Sequence, residues 1–219
     1  CNTCQGAVDR EGTHFLTCKP PPAWKLGNPL SAVHDGLVRT LAEGTKKVFP
    51  GANRVFVESR EYNDESRGHR PDIVIDEGGE RGENLFVEVS VIRPLAKDHV
   101  RAAVEGRALR AHEVLRRDTH YPAHMLAAGT SMVPFVADVW GCLGPESMAF
   151  FHRLAGTQRG WEAPGESRGI TWKEIWSRRV AVSIARAGAR TILERGLREQ
   201  RMVRPAEEPM VYNRRIDRP

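Results

Sequence analysis

The stretch RPDIVIDEGGERGENLFVEVSV, residues 70–91, decides the fold that we expect for this chain. Apolar residues alternate at Ile73 and Ile75, and again from Leu85 to Val91. This two-residue period is typical of β-strands. The charged, glycine-rich run between them, residues 77–83, favours a turn over a strand interior. We therefore predict a β-hairpin.

The hairpin places two carboxylates face to face if it is symmetric about Glu80. In that register Asp72 lies directly opposite Glu88, and Arg70 lies opposite Ser90. Directly opposed residues share one face, with Cβ atoms about 4.5–5.5 Å apart, so two acids repel each other unless a cation bridges them. Hard oxygen ligands suit Mg²⁺. A solvent-facing side of the strands would explain the same acids without a metal, and the spacing leaves both interpretations open.

The same residues resemble a known nuclease signature. Pro71-Asp72, followed after a hairpin by Glu88-Val89-Ser90, is similar to the PD-(D/E)xK motif, with Ser90 where the general motif has lysine. The stretch resembles in particular the restriction-like endonuclease domain at the C-terminal end of non-LTR retrotransposon reverse transcriptase polyproteins. That resemblance implies that Asp72 and Glu88 hold a catalytic Mg²⁺, and that the motif lysine comes from a later helix.

Other residues are candidates to complete the acidic pair. Nucleases of this kind often use a third acid, and Glu58 in a predicted strand over 54–60 is the best candidate, although an edge-strand glutamate needs no function. For the role usually given to lysine, the chain offers Arg70, or Arg107 and Arg110 in a helix predicted over 97–117. Arginine clamps phosphate well, but a solvated basic helix face explains these arginines equally.

His34 lies in the first turn of another predicted helix, and the family tends to have a histidine at this point. We interpret His34 as structural, with a catalytic or DNA-contacting role as the alternative.

The first eighteen residues carry the spacing of a zinc site. Cys1, Cys4, His14 and Cys18 form two close pairs of soft ligands, which match tetrahedral Zn²⁺. The disulfide alternative is weaker, since no secretion signal is seen and the fourth cysteine, Cys142, is far away. The resembled family carries a CCHC element just before its nuclease. Such knuckles often touch nucleic acid, and a purely structural clip is an equal alternative.

Composition limits the class of protein. The chain has 219 residues, of which 40% are hydrophobic and 28% charged, and no apolar run approaches the 18 residues of a membrane span. Residues 1–150 hold 18 basic and 20 acidic side chains, whereas residues 151–219 hold 15 and 8, so the basic surplus lies in the last third. Such a segment commonly follows phosphates, although a solvated helix face is the simpler interpretation. Residue 1 is a functional-looking Cys, so we expect a piece of a longer polypeptide.

We predict an α/β fold, with a small mixed β-sheet flanked by helices, as in restriction endonucleases. The predicted strands lie near 54–60, 71–76, 84–91 and 131–139, and the helices near 31–43, 97–117 and 145–155. Ser31 is expected to cap the first helix and Gly44 to end it. The predicted divisions are a zinc knuckle at 1–18, a linker at 19–30, the nuclease core at 31–155, a basic helix at 171–200 and a disordered tail at 201–219.

The resemblance implies a nuclear, Mg²⁺-dependent endonuclease that nicks target DNA for retrotransposon insertion. Its partners would be DNA, RNA as a further nucleic-acid ligand, and a reverse transcriptase upstream in the same polyprotein. A second hypothesis is a nucleic-acid-binding module with a decayed active site. A third is a structural piece that only positions a polymerase.

Overall fold

A computed structural model describes residues 30–50, 54–58, 70–79, 81–94, 100–105, 107–120, 130–157 and 171–203. The chain divides into two compact units, one of Leu30–Ala189 and one of Cys1–Pro29 with Arg190–Pro219. The predicted zinc ligands Cys1, Cys4, His14 and Cys18 lie outside the described residues, as do residues 19–29 of the predicted linker and residues 97–99 of the helix predicted over 97–117. No helix in the described ranges is long and apolar enough to cross a membrane.

The larger unit is a mixed α/β structure, as predicted. The described residues form helices α1 (Ser31–Val48), α2 (Val100–Val104), α3 (Ala108–His120), α4 (Pro145–Thr157) and α5 (Trp172–Val203), and strands β1 (Val55–Val57), β2 (Ile73–Ile75), β3 (Asn84–Ile92) and β4 (Thr130–Asp138). The sheet order is β1-β2-β3-β4. The β1–β2 and β2–β3 pairs are antiparallel, whereas β3 and β4 are parallel.

The register of the hairpin is the predicted one. Ile73 pairs with Val87 and Ile75 with Leu85, so the two strands are symmetric about position 80. The turn closes through a hydrogen bond from the Gly79 N–H to the Glu83 carbonyl, 2.8 Å long. This register is strongly specified, because a shift by one residue would move every side chain of the strand to the opposite face of the sheet.

Both faces of the sheet are covered. The main core lies on the face with the odd-numbered residues of β3, where Val87 and Val89 pack with α1, α4 and α5. On the opposite face, Ile92 and Val136 pack against Ala108 at the start of α3. The central strand β3 is therefore buried on both sides, including its polar residues Glu88 and Ser90.

Three boundaries differ from the predictions. The strand predicted over 54–60 is only Val55–Val57, because Glu58 has a φ of +47°, which turns the chain away from the sheet. The helix predicted over 97–117 is two helices, and the Arg107 N–H between them donates to the Ala102 carbonyl, five residues back, at 2.7 Å. The last helix extends three residues beyond the predicted end at 200.

The first helix also begins and ends differently. Leu30 is its N-cap and Ser31 is already helical. Gly44 does not end the helix, which continues to Val48. A Cβ atom at Gly44 would lie 2.8 Å from the Trp176 ring, so this glycine is explained by close packing between α1 and α5.

Candidate functional site

Asp72 precedes β2 directly, and its carboxylate binds the neighbouring strand. Its Oδ2 accepts a hydrogen bond from the Val89 backbone N–H, 2.7 Å away. Because β2 begins only at Ile73, the carboxylate satisfies a donor of β3 just beyond the ladder that β2 forms. The side chain is 14% exposed. Its position is thus fixed by the strand that carries Glu88.

His34 of α1 is the cationic partner of Asp72. The His34 Nε2 lies 3.3 Å from Asp72 Oδ1, and its Nδ1 lies 3.2 Å from Asp35 Oδ1. The hydrogen bond with Asp72 is the main cause that raises the pKa of His34 to about 9, against an opposing effect of burial. With carboxylates at both ring nitrogens, His34 is an imidazolium at neutral pH. Sequence reasoning named this residue, but not its pairing with Asp72.

Glu88 lies in the middle of β3 and faces the opposite layer of helices. Its side chain is 12% exposed, and its Oε1 lies 3.5 Å from Arg116 Nη1 on α3. By strand alternation it shares its face with Ile92, which packs against α3. The two acids of the predicted pair therefore receive their cationic partners from helices on opposite faces of the sheet.

Arg116 is the basic residue that sequence reasoning missed on α3. Two arginines were predicted to take the role of the motif lysine. Arg107 lies beside Glu105 in an ion pair, and Arg110 is exposed. Among the described contacts, neither reaches Glu88 or Asp72. Arg116 lies eight residues after the buried Ala108, at helical spacing, so it shares the inward face of α3. That periodicity was the available signal for Arg116.

Glu58 and Arg70 pair with each other beside Asp72. Arg70 Nη2 lies 3.5 Å from Glu58 Oε2, and its Nη1 donates to the Glu58 carbonyl at 3.4 Å. The Glu58 N–H in turn donates to the backbone carbonyl of Asp72 at 3.0 Å. Both side chains are exposed. The structure thus brings Glu58 next to the backbone of Asp72, with its carboxylate held by Arg70.

Ser90, at the position where the resembled motif has lysine, has a buried hydroxyl. It is 2% exposed, and no residue in the described ranges forms a hydrogen bond with its Oγ. It lies two residues after Glu88 and thus on the same face of β3. A hydroxyl there carries no charge, so the cation beside Glu88 comes from Arg116 instead.

A buried glutamate holds α3, and with it Arg116, in place. Glu113 Oε1 accepts hydrogen bonds from the N–H groups of Glu146 and Ser147 and from the Ser147 hydroxyl, at 3.1–3.2 Å. These donors belong to the first turn of α4. The residue before that helix is Gly144, which has no side chain to cap it, so Glu113 provides the acceptor instead. Burial raises the pKa of Glu113. A second link on the surface is the ion pair between Arg117 and Glu146.

Two of the arginines on the basic helix α5 form contacts within the protein. Arg179 pairs with Glu43 of α1 at 3.3 Å, and its guanidinium lies 4.6 Å from the centre of the Trp176 ring. Arg190 pairs with Glu194 on the same helix. Arg186 is exposed. The predicted basic face is therefore mixed in character, with Arg179 serving to pack α5 against α1.

No three His, Cys, Asp or Glu side chains within the described ranges cluster as a metal site. No family model matches the chain. A search of curated proteins gives no match either. The geometry around Asp72 and Glu88 is therefore the basis for assigning a function.

Proposed function

We propose that this chain is a metal-dependent DNA endonuclease. The observation that supports the proposal is the in-register hairpin, in which Asp72 directly precedes β2 and its carboxylate accepts a hydrogen bond from the Val89 N–H, one residue after Glu88 on β3. Both carboxylates are largely buried, and each is accompanied by a basic side chain. One acid just before β2 and one within β3 are thus both largely buried, which does not fit a solvated strand face, because carboxylates are mostly exposed.

The donor set is suited to Mg²⁺. Asp72 and Glu88 supply only carboxylate oxygens, and Mg²⁺ is commonly held by one or two carboxylates together with substrate phosphates. A third protein ligand is therefore not required, although Glu58 lies beside the Asp72 backbone. When bound, such a cation lowers the pKa of water and stabilises charge on the scissile phosphate.

The protein's own groups have distinct roles in this proposal. The Val89 N–H holds the Asp72 carboxylate in position. Arg116 is placed to exchange its contact with Glu88 for a phosphate oxygen, since a guanidinium binds phosphate bidentately. His34 is unsuited to be a general base, because its pKa is raised to about 9 and its Nε2 faces Asp72. It instead offsets the negative charge of the site.

The wider context of the proposal follows from the sequence resemblance. The four-stranded mixed sheet with helices on both faces agrees, at this coarse level, with a restriction-endonuclease-like core. We propose that the chain nicks target DNA for retrotransposon insertion in the nucleus, as part of a reverse transcriptase polyprotein. Its N-terminal residues would hold a structural Zn²⁺ through Cys1, Cys4, His14 and Cys18.

A nicking assay on supercoiled plasmid tests the activity. With Mg²⁺ or Mn²⁺ the chain should convert the plasmid to the open circle. Asp72→Asn and Glu88→Gln should each reduce the rate at least about a hundredfold, because each removes a ligand charge while nearly preserving volume. Asp118→Asn is the matched control, since Asp118 is an exposed acid on the helix that carries Arg116. Nicking by an Asp72→Ala, Glu88→Ala double mutant at the wild-type rate would refute the proposal.

A second candidate is a nucleic-acid-binding module that has lost cleavage. The observation in its favour is that His34 and Arg116 already neutralise both carboxylates, with Ser90 where a lysine would be expected. This candidate predicts DNA binding that is unchanged by Asp72→Asn and by omission of Mg²⁺, and no nicking by the wild-type chain.

A further inference from the structure

Two side chains at one end of the sheet have no role in the proposed metal site. Ile92 pairs with Asp138 where the parallel strands β3 and β4 both end. Arg93 follows the first strand directly, and Trp140 lies two residues beyond the second. Strand register, with a 3.0 Å hydrogen bond from the Val139 N–H to the Ile92 carbonyl, therefore brings the backbone of Arg93 and of Trp140 to the same edge of the sheet.

Trp140 is exposed on a rigid turn. Half of it, 52%, is accessible to solvent, which is unusual for the largest apolar side chain. The Asp138 Oδ1 accepts the N–H groups of Trp140 and Cys142, both at 2.9 Å, and the Gly141 N–H donates to the Asp138 carbonyl at 3.1 Å. Gly141 has a φ of +93°, which a side chain would disfavour. The turn thus presents the indole in a fixed position.

Two nitrogens of the Arg93 guanidinium have no acceptor among the described residues. Its Nε and Nη1 are buried, and within the described part of the chain neither has a hydrogen-bond partner. A guanidinium without acceptors is costly in a protein, so such a group calls for an anion that is brought by a ligand. A phosphate oxygen at this edge of the sheet would provide that acceptor.

We propose that Trp140 and Arg93 form a contact site for an unpaired DNA strand, with a base stacked on the indole and a phosphate on the guanidinium. Aromatic platforms combined with cationic groups are the common means of binding single strands. An unpaired strand is favoured over duplex, because the base faces of a duplex are covered by their neighbours. The inference rests on the proposed function only in that the ligand is DNA; it requires neither metal nor cleavage.

The position of this site fits a strand that passes the acidic pair. Ile92 is three residues beyond Val89, whose N–H holds Asp72, and this corresponds to about 10 Å along a strand. Stacked nucleotides advance by about 3.4 Å each. A strand with its reacting phosphate at Asp72 and Glu88 would therefore reach the indole within a few nucleotides.

Fluorescence anisotropy with labelled oligo(dT), at low salt and without added Mg²⁺, tests this contact on the full chain. Trp140→Ala should weaken binding about tenfold, as expected for one lost base stack, while Trp140→Phe should retain most of the affinity. Arg93→Ala should weaken binding severalfold and reduce the slope of log affinity against log salt by about 0.7. The matched controls are Leu115→Ala, at another exposed apolar side chain, and Arg81→Gln, in the hairpin turn at the other end of the sheet.

The outcomes separate this inference from the proposed nuclease. A Trp140→Ala chain that folds and binds oligo(dT) as tightly as Leu115→Ala would overturn the inference, even if the wild-type chain nicks plasmid. An equal loss of affinity for blunt duplex would also overturn it, because stacking on an open base face predicts a loss for the single strand alone. The absence of metal-dependent nicking, with the oligo(dT) result as expected, would refute the nuclease and leave the strand contact in place.

Discussion

The carboxylate of Asp72 links β3 to α1, through a 2.7 Å hydrogen bond from the Val89 N–H and a 3.3 Å contact with the His34 Nε2. One side chain thus accepts a hydrogen bond from the backbone of the sheet and pairs with the His34 imidazolium of α1. The same carboxylate is the proposed metal ligand. Its structural and functional contributions are therefore coupled, and substitutions at this position need both kinds of measurement.

Asp72→Ala should destabilise the metal-free protein by about 1–3 kcal/mol, because it leaves a backbone donor and an imidazolium without their acceptor. Asp72→Asn should cost less, since the amide oxygen still accepts from Val89. Urea denaturation in EDTA measures both values. Equal stability of the alanine variant and the wild type would show that the Val89 hydrogen bond does not form.

The His34 pairing predicts a pH dependence of stability. Its pKa is about 9 in the folded protein and 6.5 in the unfolded chain. The protonated form is favoured by folding, so the stabilisation is fully present below pH 6.5 and is lost as the pH rises through 9. After allowance for solvent screening we expect a loss of about 1–2 kcal/mol over that interval.

The measurement is the free energy of unfolding in EDTA at pH 6, 7.5 and 9, for the wild type and His34→Gln. The glutamine does not titrate and still donates a hydrogen bond, so its stability should vary less over this range. Parallel curves for the two proteins would contradict the assignment.

Substitutions of Glu88 and Arg116 should have non-additive effects on the free energy of unfolding, because the two side chains form an ion pair. Arg116→Ala leaves a largely buried carboxylate without its cation, which we expect to cost about 1–3 kcal/mol of stability. Adding Glu88→Gln should restore part of that loss, because the uncompensated charge is removed. A double-mutant cycle measures this, and simple additivity of the two substitutions would mean that the pair contributes no coupling energy.

The buried cap of α4 gives a prediction that is independent of the metal site. A Cβ atom at Gly144 would lie 2.0 Å from Glu113 Oε1, so Gly144→Ala should force the carboxylate away and destabilise the protein by about 1–3 kcal/mol. Gly156→Ala, near the end of α4, is the control, because a Cβ atom at Gly156 would meet nothing within 4 Å. It should be neutral or stabilising by up to about 1 kcal/mol. Thermal unfolding of both variants distinguishes the two glycines.

The hairpin could be predicted from sequence because its determinants are local. Alternating apolar residues and a glycine-rich turn specify both strands and their register, so the expected opposition of positions 72 and 88 agrees with the pairing of Ile73 with Val87. The mixed sheet and most helix positions followed from the same periodicities.

Contacts between distant segments were decided by tertiary packing. His34 is 38 residues from Asp72 along the chain, and Arg116 is 28 from Glu88; no local pattern specifies which basic residue reaches which acid. The sequence similarly predicts that α1 ends at Gly44. The helix instead continues to Val48, and the glycine allows the Trp176 ring to approach α1 closely.

The sequence by itself thus determined the strands, their register and the acidic residues they carry, because neighbouring side chains and turn geometry fix a hairpin. Only the tertiary structure decided which cations accompany those acids, because the helices dock according to the shape and burial of whole faces.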